Sequence, residues 1–204
     1  MARDTRPITK LSRREGVPLH PKAHRIMVKR TTIPGQHGDK RAKKLSNFGV
    51  QLREKQKAKR IYGLLEKQFR RVVSEATRAK GQTGEVIIQL LERRLDNVVY
   101  RAGLAPSRRA ARQLVGHGHF NLNGRRVDIP SIRVSTGDEI VVRDRSKKSL
   151  YFTNLDNIVT EAPEPSSWIA ADTKKLVIKV TGLPQREEVD EPINEQLIVE
   201  YYQR

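Results

Sequence analysis

The 204-residue chain is predicted to be an α+β protein, with a mainly helical domain and a smaller module of short helices packed on a small, mostly antiparallel sheet. Two kinds of periodicity predict this class. Apolar residues recur at helical spacing through residues 50–102, whereas apolar and polar residues alternate around turn sequences in residues 119–142. Only 36% of the residues are hydrophobic and 5% are aromatic, so we expect two modest cores rather than one large core.

The first 48 residues are predicted to be an extended basic segment, because they contain 13 Lys and Arg residues and show little periodicity. Such a composition cannot bury enough apolar surface to order itself, so we expect the segment to become ordered on a polyanion. The sequence PGQHG at residues 34–38 indicates either an ordinary surface turn or a close approach of backbone to a ligand. The candidate polyanion contacts in this segment are Lys10, Arg13, Arg14, Gln36, His37, Lys40, Arg41, Lys43 and Lys44.

Residues 50–80 are predicted to form one helix, or two helices broken near Gly63. The apolar stripe includes Leu64, Phe69 and Val72, and an aromatic residue beside it, Tyr62, fits the core better than a base-stacking site. Many cations accompany this stripe. Those assigned to polyanion binding are Arg53, Lys55, Lys57, Arg60, Arg70 and Arg71.

A further helix is predicted from Glu85 to Ala102, with leucine and valine residues at helical spacing as its buried stripe. Polar residues off that stripe are expected to face solvent. The candidate polyanion contacts among them are Arg93, Arg94 and Arg101.

A second basic helix is predicted between Ser107, which can cap free backbone N–H groups, and Gly116. One arc of this helix is cationic, and the opposite arc carries alanine, leucine and valine. The cationic arc is either ordinary solvated surface or a phosphate-binding face, for which a planar guanidinium is suited because it binds two oxygens at once. The candidate contacts are Ser107, Arg108, Arg109, Arg112 and Gln113.

A hairpin is predicted after this helix, with Asn123-Gly124 as its two-residue turn, because both central positions of that turn need positive φ. The return strand is expected to continue until Pro130, and another strand follows the Gly137-Asp138 turn. Two histidines precede the hairpin, but a metal site is disfavoured because neither cysteine nor an acidic residue lies nearby. The candidate polyanion contacts are His117, His119, Asn123, Arg125 and Arg126.

The order of these parts resembles the small RNA-binding module named after ribosomal protein S4. The runs SRRAARQLV, NGRRVDIPS and GDEI between residues 107 and 140 carry this resemblance. The module also occurs in pseudouridine synthases, heat-shock RNA-binding proteins and tyrosyl-tRNA synthetases, so by itself it implies RNA binding and no particular cellular role.

The rest of the chain resembles the bacterial small-subunit ribosomal protein S4 family. The matching runs are LSRREG at 11–16, PGQHG at 34–38, VQLREKQKAKRIYGLLEKQFRR at 50–71 and INEQLIVEYY at 193–202. The resemblance implies a primary binder of 16S rRNA that organises a junction in the 5′ domain and starts 30S assembly. It further implies a position on the path by which mRNA enters, beside ribosomal proteins S3 and S5, and a role in translational accuracy. Some members hold zinc through four cysteines, which this chain lacks.

Four regions are predicted. An extended basic segment, 1–48, precedes a helical domain, 49–90, which the resemblance completes with a C-terminal helix, 193–204. The S4-type RNA-binding module spans 91–150, and 151–192 form a strand and loop extension with an acidic linker. Trp168 is predicted to anchor a small core, and Asn194 to cap the last helix.

The charge of the chain is unevenly distributed. Residues 1–150 hold 36 Lys and Arg against 13 Asp and Glu, a balance of +23, whereas residues 151–204 hold 5 against 10, a balance of −5. Because an acidic surface is repelled by RNA, we expect the last quarter to face solvent or a basic protein neighbour. The candidate protein contacts are Glu187, Glu188, Asp190, Glu195 and Tyr201.

A net charge of +18 predicts a nucleic-acid partner or an anionic membrane. A membrane is disfavoured, because no apolar run approaches the ~20 residues that a span needs. The absence of cysteine is compatible with a reducing cytoplasm, and we expect no cofactor and no small-molecule substrate.

Two alternatives to a ribosomal protein are an RNA chaperone or heat-shock factor and an RNA-modifying enzyme. A chaperone would not need the long N-terminal helices or the acidic tail. The run Arg94-Leu95-Asp96 matches the run around the catalytic aspartate of some pseudouridine synthases, but Leu95 lies on the core stripe, so a structural role is predicted for Asp96. The chain also has too few residues after the module for a separate catalytic domain. We therefore expect a protein that is not an enzyme.

Overall fold

The structure of the chain is a computed structural model, which describes residues 4–36, 38, 44–159, 166–189 and 193–203. The fold divides into two compact units, Met1–Ile87 with Glu191–Arg204 and Ile88–Asp190. The first unit is helical, and the second combines short helices with a small antiparallel sheet. The predicted α+β class is confirmed.

The first unit begins with two short helices, α1 (Ile8–Glu15) and α2 (Pro21–Lys29). The prediction of an extended segment is therefore wrong for these residues. Local signals explain the helices: Gly16 ends α1 at φ 72°, and Nδ1 of His20 accepts a hydrogen bond from the backbone N–H of Lys22 at the start of α2. Leu11 of α1 and Ala23 of α2 are buried, so these helices contribute little apolar surface to the core.

Two longer helices follow, α3 (Asn47–Ile61) and α4 (Glu66–Arg78), and the predicted break at Gly63 is confirmed. Gly63 has a φ of 63°, a conformation that ends α3 at little cost for glycine. Helix α5 (Thr83–Glu92) then leads along the chain into the second unit. The predicted stripe is buried apart from Leu65, which is half-buried. The buried side chains between Ala58 and Ala76 include Ala58, Ile61, Tyr62, Leu64, Phe69, Val72, Val73 and Ala76.

The C-terminal helix α11 (Glu195–Tyr202) packs on α3 within the first unit. As predicted, Asn194 caps it, with its side chain accepting from the backbone N–H of Leu197 at 3.4 Å. Two further hydrogen bonds join the packed elements. The amide of Gln51 donates to Glu200 at 2.8 Å, and the backbone N–H of Asn194 donates to Glu54 at 2.8 Å.

In the second unit, α6 (Leu95–Arg101) and α7 (Arg108–Gly116) pack against each other. The single helix predicted for Glu85–Ala102 is wrong, because the chain breaks between α5 and α6. Arg94 is extended there and forms an isolated antiparallel bridge with Arg133. The backbone N–H of Leu95 also donates to Ile132 at 2.8 Å, so these residues pair with a loop instead of continuing the helix.

The sheet of the second unit has, within the described residues, five antiparallel strands in the order β2-β1-β3-β5-β4. The strands are β1 (Phe120–Leu122), β2 (Arg125–Val127), β3 (Glu139–Val142), β4 (Ile169–Asp172) and β5 (Val177–Val180). The predicted turn is confirmed, with Asn123 at φ 49° and Gly124 at φ 79°. The return strand ends at Val127, before the predicted Pro130.

The helices and the sheet of the second unit share one core, which includes Leu95, Leu114, Phe120 and Ile140. Trp168 belongs to this core and is 3% exposed, rather than anchoring a separate one. Three helical turns connect β3 to the segment before β4. They are α8 (Asp144–Lys147), α9 (Leu150–Thr153) and α10 (Leu155–Ile158).

Among the residues that the structure describes, no helix is both long and apolar enough to cross a membrane.

Candidate RNA interface

Helix α7 presents the predicted arc of cationic and polar side chains opposite its buried alanine, leucine and valine residues. The hydroxyl of Ser107 accepts from the backbone N–H of Ala110 at 3.3 Å and caps the helix, so its predicted role in RNA binding competes with a structural one. Exposure is graded along the arc. Arg109 and Gln113 are exposed, Arg108 is half-buried, and the side chain of Arg112 is 12% exposed. The arc therefore has an outer and an inner part.

The inner part of the arc is tied to α6 by Asp96. The carboxylate of Asp96 accepts from Arg112 Nη1 at 3.2 Å, and it also accepts from Arg94 Nε at 3.1 Å and Nη2 at 2.9 Å. A buried carboxylate needs such partners because water cannot solvate it. This structural position of Asp96 agrees with the role predicted for it.

A second buried network lies beside the first and is centred on Glu92, which is 0% exposed. Its carboxylate accepts from Arg101 Nε at 3.1 Å, from Arg101 Nη2 at 3.2 Å and from the amide of Asn97 at 2.8 Å. Arg108 Nε in turn donates to Asn97 Oδ1 at 2.8 Å. Helices α6 and α7 are thereby joined through the side chains of Asn97 and Arg108.

The expectation that Arg94 and Arg101 face solvent is wrong, because they are 6% and 5% exposed. The sequence pattern placed them off the apolar stripe, but it could not show that two carboxylates are buried beside them. The half-buried Arg93 donates from Nε to the carbonyl of Val134 at 2.8 Å, which connects the turn after α5 to the loop before β3. RNA contact by these three arginines stays a prediction.

The hairpin tip carries two exposed arginines, Arg125 and Arg126. The side chain of Asn123 supports the turn: its Oδ1 accepts from the backbone N–H of Glu139 at 2.9 Å, and its Nδ2 donates to Asp138 at 2.8 Å. Asn123 is thus a structural turn residue as well as a candidate RNA contact.

The two histidines before the hairpin differ in environment. His117 is exposed, whereas His119 is half-buried, with its Nδ1 3.0 Å from the hydroxyl of Ser146. Burial, followed by the positive charges of His117 and Arg143, lowers the pKa of His119. The lowered pKa favours the neutral imidazole of His119 at neutral pH, and RNA contact by either histidine stays a prediction.

In the first unit, the predicted cations divide into exposed and paired groups. The exposed cations are Lys10, Arg14, Lys44, Arg70 and Arg71, and Gln36 is exposed as well. Arg13 is half-buried and donates to the carbonyl of Thr32 at 3.0 Å.

Arg53 and Arg60 both pair with the buried side chain of Glu15, Arg53 at 3.1 Å. Burial raises the pKa of Glu15, although Arg60 and Arg53 oppose that shift, and burial lowers the pKa of Arg60. Arg60 is 9% exposed, and its contact with RNA stays a prediction. This ion pair joins α1 to α3.

Lys55 is 3% exposed and donates to Glu66 at 2.8 Å, so a carboxylate of the same unit holds its ammonium group, and its contact with RNA stays a prediction. Lys59 also donates to Glu66 at 2.8 Å, and Lys57 pairs with Glu54 at 2.8 Å. Burial alone would raise the pKa of Glu66, but hydrogen bonds from Lys55, Lys59 and Tyr202 hold the pKa at about 2.

Four of the predicted RNA contacts, His37, Lys40, Arg41 and Lys43, lie outside the described residues. The structure also shows exposed cations that the predicted set omitted on and after α2, namely Lys22, Arg25, Lys29 and Arg30. The first three follow helical spacing, which is the signal that could have identified them.

The predicted protein contacts near the C-terminus differ in their exposure and in the residues that they contact. Glu187 is exposed, and Glu188 Oε1 accepts from the hydroxyl of Ser167 at 2.5 Å. Asp190 lies outside the described residues. Glu195 begins α11, and the ring of Tyr201 lies 5.6 Å from that of Phe48 and 4.6 Å from Lys55 Nζ. Tyr201 is therefore half-buried within the first unit.

No group of three His, Cys, Asp or Glu side chains that could hold a metal is found in the part of the chain that the structure describes. Arginine and lysine predominate among the candidate RNA contacts of both units, and these side chains bind phosphate by charge and by hydrogen bonding.

A small antiparallel sheet with a capped basic helix and an arginine-bearing hairpin defines an RNA-binding module. Comparison with known families agrees: residues 3–92 match the ribosomal protein S4/S9 N-terminal domain, and residues 93–140 match the S4 domain. Full-length relatives are similar throughout. The chain is 53% identical to small ribosomal subunit protein uS4 of Herpetosiphon aurantiacus and 49% identical to that of Thermus thermophilus, with 100% of both chains covered in each case.

The chain therefore belongs to the ribosomal protein S4 family. It is a structural, RNA-binding constituent of the small ribosomal subunit and not an enzyme, and its location is the ribosome, in the bacterial cytoplasm. The predicted family and the predicted absence of catalytic function are confirmed by these relationships.

Proposed function

We propose that this chain is a primary 16S rRNA-binding protein, which organises a helix junction of the 5′ domain and nucleates assembly of the 30S subunit. The observation that carries this proposal is the combination of full-length similarity to uS4 proteins with exposed cations in both units. Binding before other proteins requires a surface that is complete without them. The second unit supports this proposal, since its own buried carboxylates hold Arg94, Arg101 and Arg112.

Recognition would depend mainly on phosphate and on RNA shape. The exposed Arg109, Arg125 and Arg126 are suited to displacing counterions from phosphates, which contributes affinity without reading base sequence. Folded RNA junctions bring phosphates from several strands close together, and such a target favours rigid cations on short helices and turns. A protein that binds one RNA arrangement better than others shifts the RNA towards that arrangement.

The same proposal includes a position beside ribosomal proteins S3 and S5, on the path by which mRNA enters, and a contribution to translational accuracy. Its support is the family relationship together with the acidic balance of residues 151–204. The exposed Glu187 would face a basic protein neighbour rather than RNA.

Reconstitution of the 30S subunit from 16S rRNA and purified proteins tests this proposal. If this chain is left out, we expect incomplete particles that sediment more slowly than complete subunits, and addition of the chain at the start should restore them. Addition after the late-binding proteins should restore fewer. Complete particles without the chain would contradict a nucleating role.

A further inference from the structure

Two side chains of α6, one helical turn apart, hold Arg108 of α7. Asn97 Oδ1 accepts a hydrogen bond from Arg108 Nε at 2.8 Å, and the guanidinium carbon of Arg108 lies 4.7 Å from the centre of the Tyr100 ring. Residues at i and i+3 lie on one face of a helix, so both contacts come from the same side of α6. Asn97 therefore holds the edge of the Arg108 guanidinium by a hydrogen bond, and the Tyr100 ring supports its face.

The orientation of Asn97 is itself fixed. Its Nδ2 donates to the backbone carbonyl of Glu92 at 3.0 Å and to the Glu92 carboxylate at 2.8 Å. Both of these acceptors face the amide nitrogen, so the amide oxygen is turned towards Arg108. Asn97 is 2% exposed and Glu92 is 0% exposed, which leaves the pair little freedom to rearrange.

We propose that Asn97 and Tyr100 are positioning residues for RNA recognition, which hold Arg108 in the conformation that engages a phosphate. The hydrogen bond to Asn97 is made by Nε, and the Tyr100 ring contacts a face of the guanidinium, so neither of these two contacts involves the Nη donors with which an arginine can bind phosphate. A flexible arginine loses conformational freedom when it binds, and an arginine that is already held loses less. This inference rests on the proposed function, because it requires α7 to face rRNA.

The test compares the affinities of five full-length proteins for a 16S 5′-domain RNA: wild type, Tyr100→Leu, Tyr100→Phe, Arg108→Gln and the double variant Tyr100→Leu with Arg108→Gln. Arg108→Gln should weaken binding by about tenfold through loss of a charge-assisted hydrogen bond. Tyr100→Leu, which removes the ring, should weaken it by roughly threefold. Tyr100→Phe keeps the ring and should bind like the wild type.

Coupling is the readout that separates positioning from a merely structural role. In the Arg108→Gln background, Tyr100→Leu should have no further effect, because no guanidinium remains to be held. The slope of affinity against salt should also fall by about 1 for Arg108→Gln and should not fall further in the double variant. Equal weakening by Tyr100→Leu in both backgrounds, or no weakening in the wild-type background, would overturn the inference.

Asn97→Ala gives a second measurement, which should also lose its effect on affinity in the Arg108→Gln background. Asn97 is buried, so fluorescence of the single tryptophan, Trp168, in the same unit checks folding first. If Asn97→Ala does not fold, the Tyr100 variants still decide. Absence of salt-dependent binding by the wild type would contradict the proposed function itself. Tight wild-type binding with unchanged affinity of Arg108→Gln would contradict this inference alone.

Discussion

Carboxylates hold cations in both units, but they do so at different depths. In the second unit, Glu92 and Asp96 are 0% and 4% exposed, and their arginine partners lie no more than 16 residues away in sequence. In the first unit, the side chain of Glu66 is 47% exposed and accepts from Lys55 and Lys59, both at 2.8 Å, although Glu15 of the same unit is buried. An ion pair in a low-dielectric core is little screened, whereas an exposed pair is screened by water. We therefore expect Glu92 and Asp96 to contribute most to the stability of the second unit, and Glu66 to affect mainly the response of the first unit to pH.

Removal of Glu92 should give the largest effect. Glu92→Ala leaves the buried Arg101 without its carboxylate, and we expect the second unit to lose about 3–5 kcal/mol of unfolding free energy. Urea denaturation followed by Trp168 fluorescence measures this loss. Glu66→Gln, the matched change in the first unit, should cost below about 1 kcal/mol in a circular dichroism melt, because Glu66 is half exposed.

Glu85→Ala, at an exposed position of α5, controls for loss of a carboxylate from the same helix. Equal losses for Glu92→Ala and Glu85→Ala would show that depth does not decide the contribution of these carboxylates.

The next effect separates the outer and inner parts of the α7 arc. Arg109→Gln should weaken binding to a 16S 5′-domain RNA by about 1–2 kcal/mol with little change in the unfolding free energy, because interactions of an exposed side chain contribute little to stability. Arg112→Gln should weaken RNA binding and also destabilise the second unit, because it removes a partner from Asp96. For the wild type, the log–log dependence of affinity on salt should have a slope of magnitude on the order of 5 or more.

A flat salt response would contradict phosphate-based recognition. The opposite pattern, in which Arg109→Gln changes stability and Arg112→Gln changes only affinity, would reverse the assignment of outer and inner residues.

How far the sequence predicts the fold depends on whether the determining contacts are local. The cap at Ser107, the turn at Asn123-Gly124 and the break near Gly63 were all predictable, because each depends on one or two residues with special backbone or side-chain chemistry. The break between α5 and α6 was not, because it arises from pairing with a loop almost 40 residues later, where Arg94 meets Arg133. Periodicity carries no information about such a partner.

The same limit applies to the candidate site. Spacing identified the cationic arc of α7, but it could not distinguish the exposed Arg109 from the mostly buried Arg112. Arg94 and Arg101 were expected at the surface because they lie off the apolar stripe and arginine is usually exposed. Their burial requires a carboxylate at each position, and only the folded structure brings those carboxylates together with the cations.

Acid should affect the first unit through Glu66. Its folded pKa of about 2 lies below the ordinary value of 4.5, so its pairing stabilises the fold fully above the ordinary value, and the contribution is lost as pH falls towards 2. Thermal melts of the wild type and Glu66→Gln at pH 6, 4 and 3 measure this directly. The difference between the two proteins should shrink as pH falls, and a difference that is constant with pH would show that the charge of Glu66 is not involved.

The smallest expected effect concerns the acidic end of the second unit, where charge should favour protein rather than RNA. Glu187 is exposed, and Glu188 is anchored by Ser167, so reversal of Glu187 alone changes surface charge without breaking an observed hydrogen bond. We expect Glu187→Lys to weaken contact with a basic neighbour in assembled subunits by about 1 kcal/mol or less, because exposed ion pairs contribute little. Binding to the isolated 5′-domain RNA should be unchanged or slightly stronger, since the variant gains positive charge. Lys174→Glu, which reverses an exposed charge of the opposite sign in the same unit, provides the matched control. The two measurements are RNA affinity and misreading by ribosomes that contain each variant. Increased misreading with unchanged RNA affinity for Glu187→Lys supports a protein-facing surface at this end. Reduced RNA affinity with normal accuracy would mean that the acidic end lies against RNA, which would contradict the argument from charge.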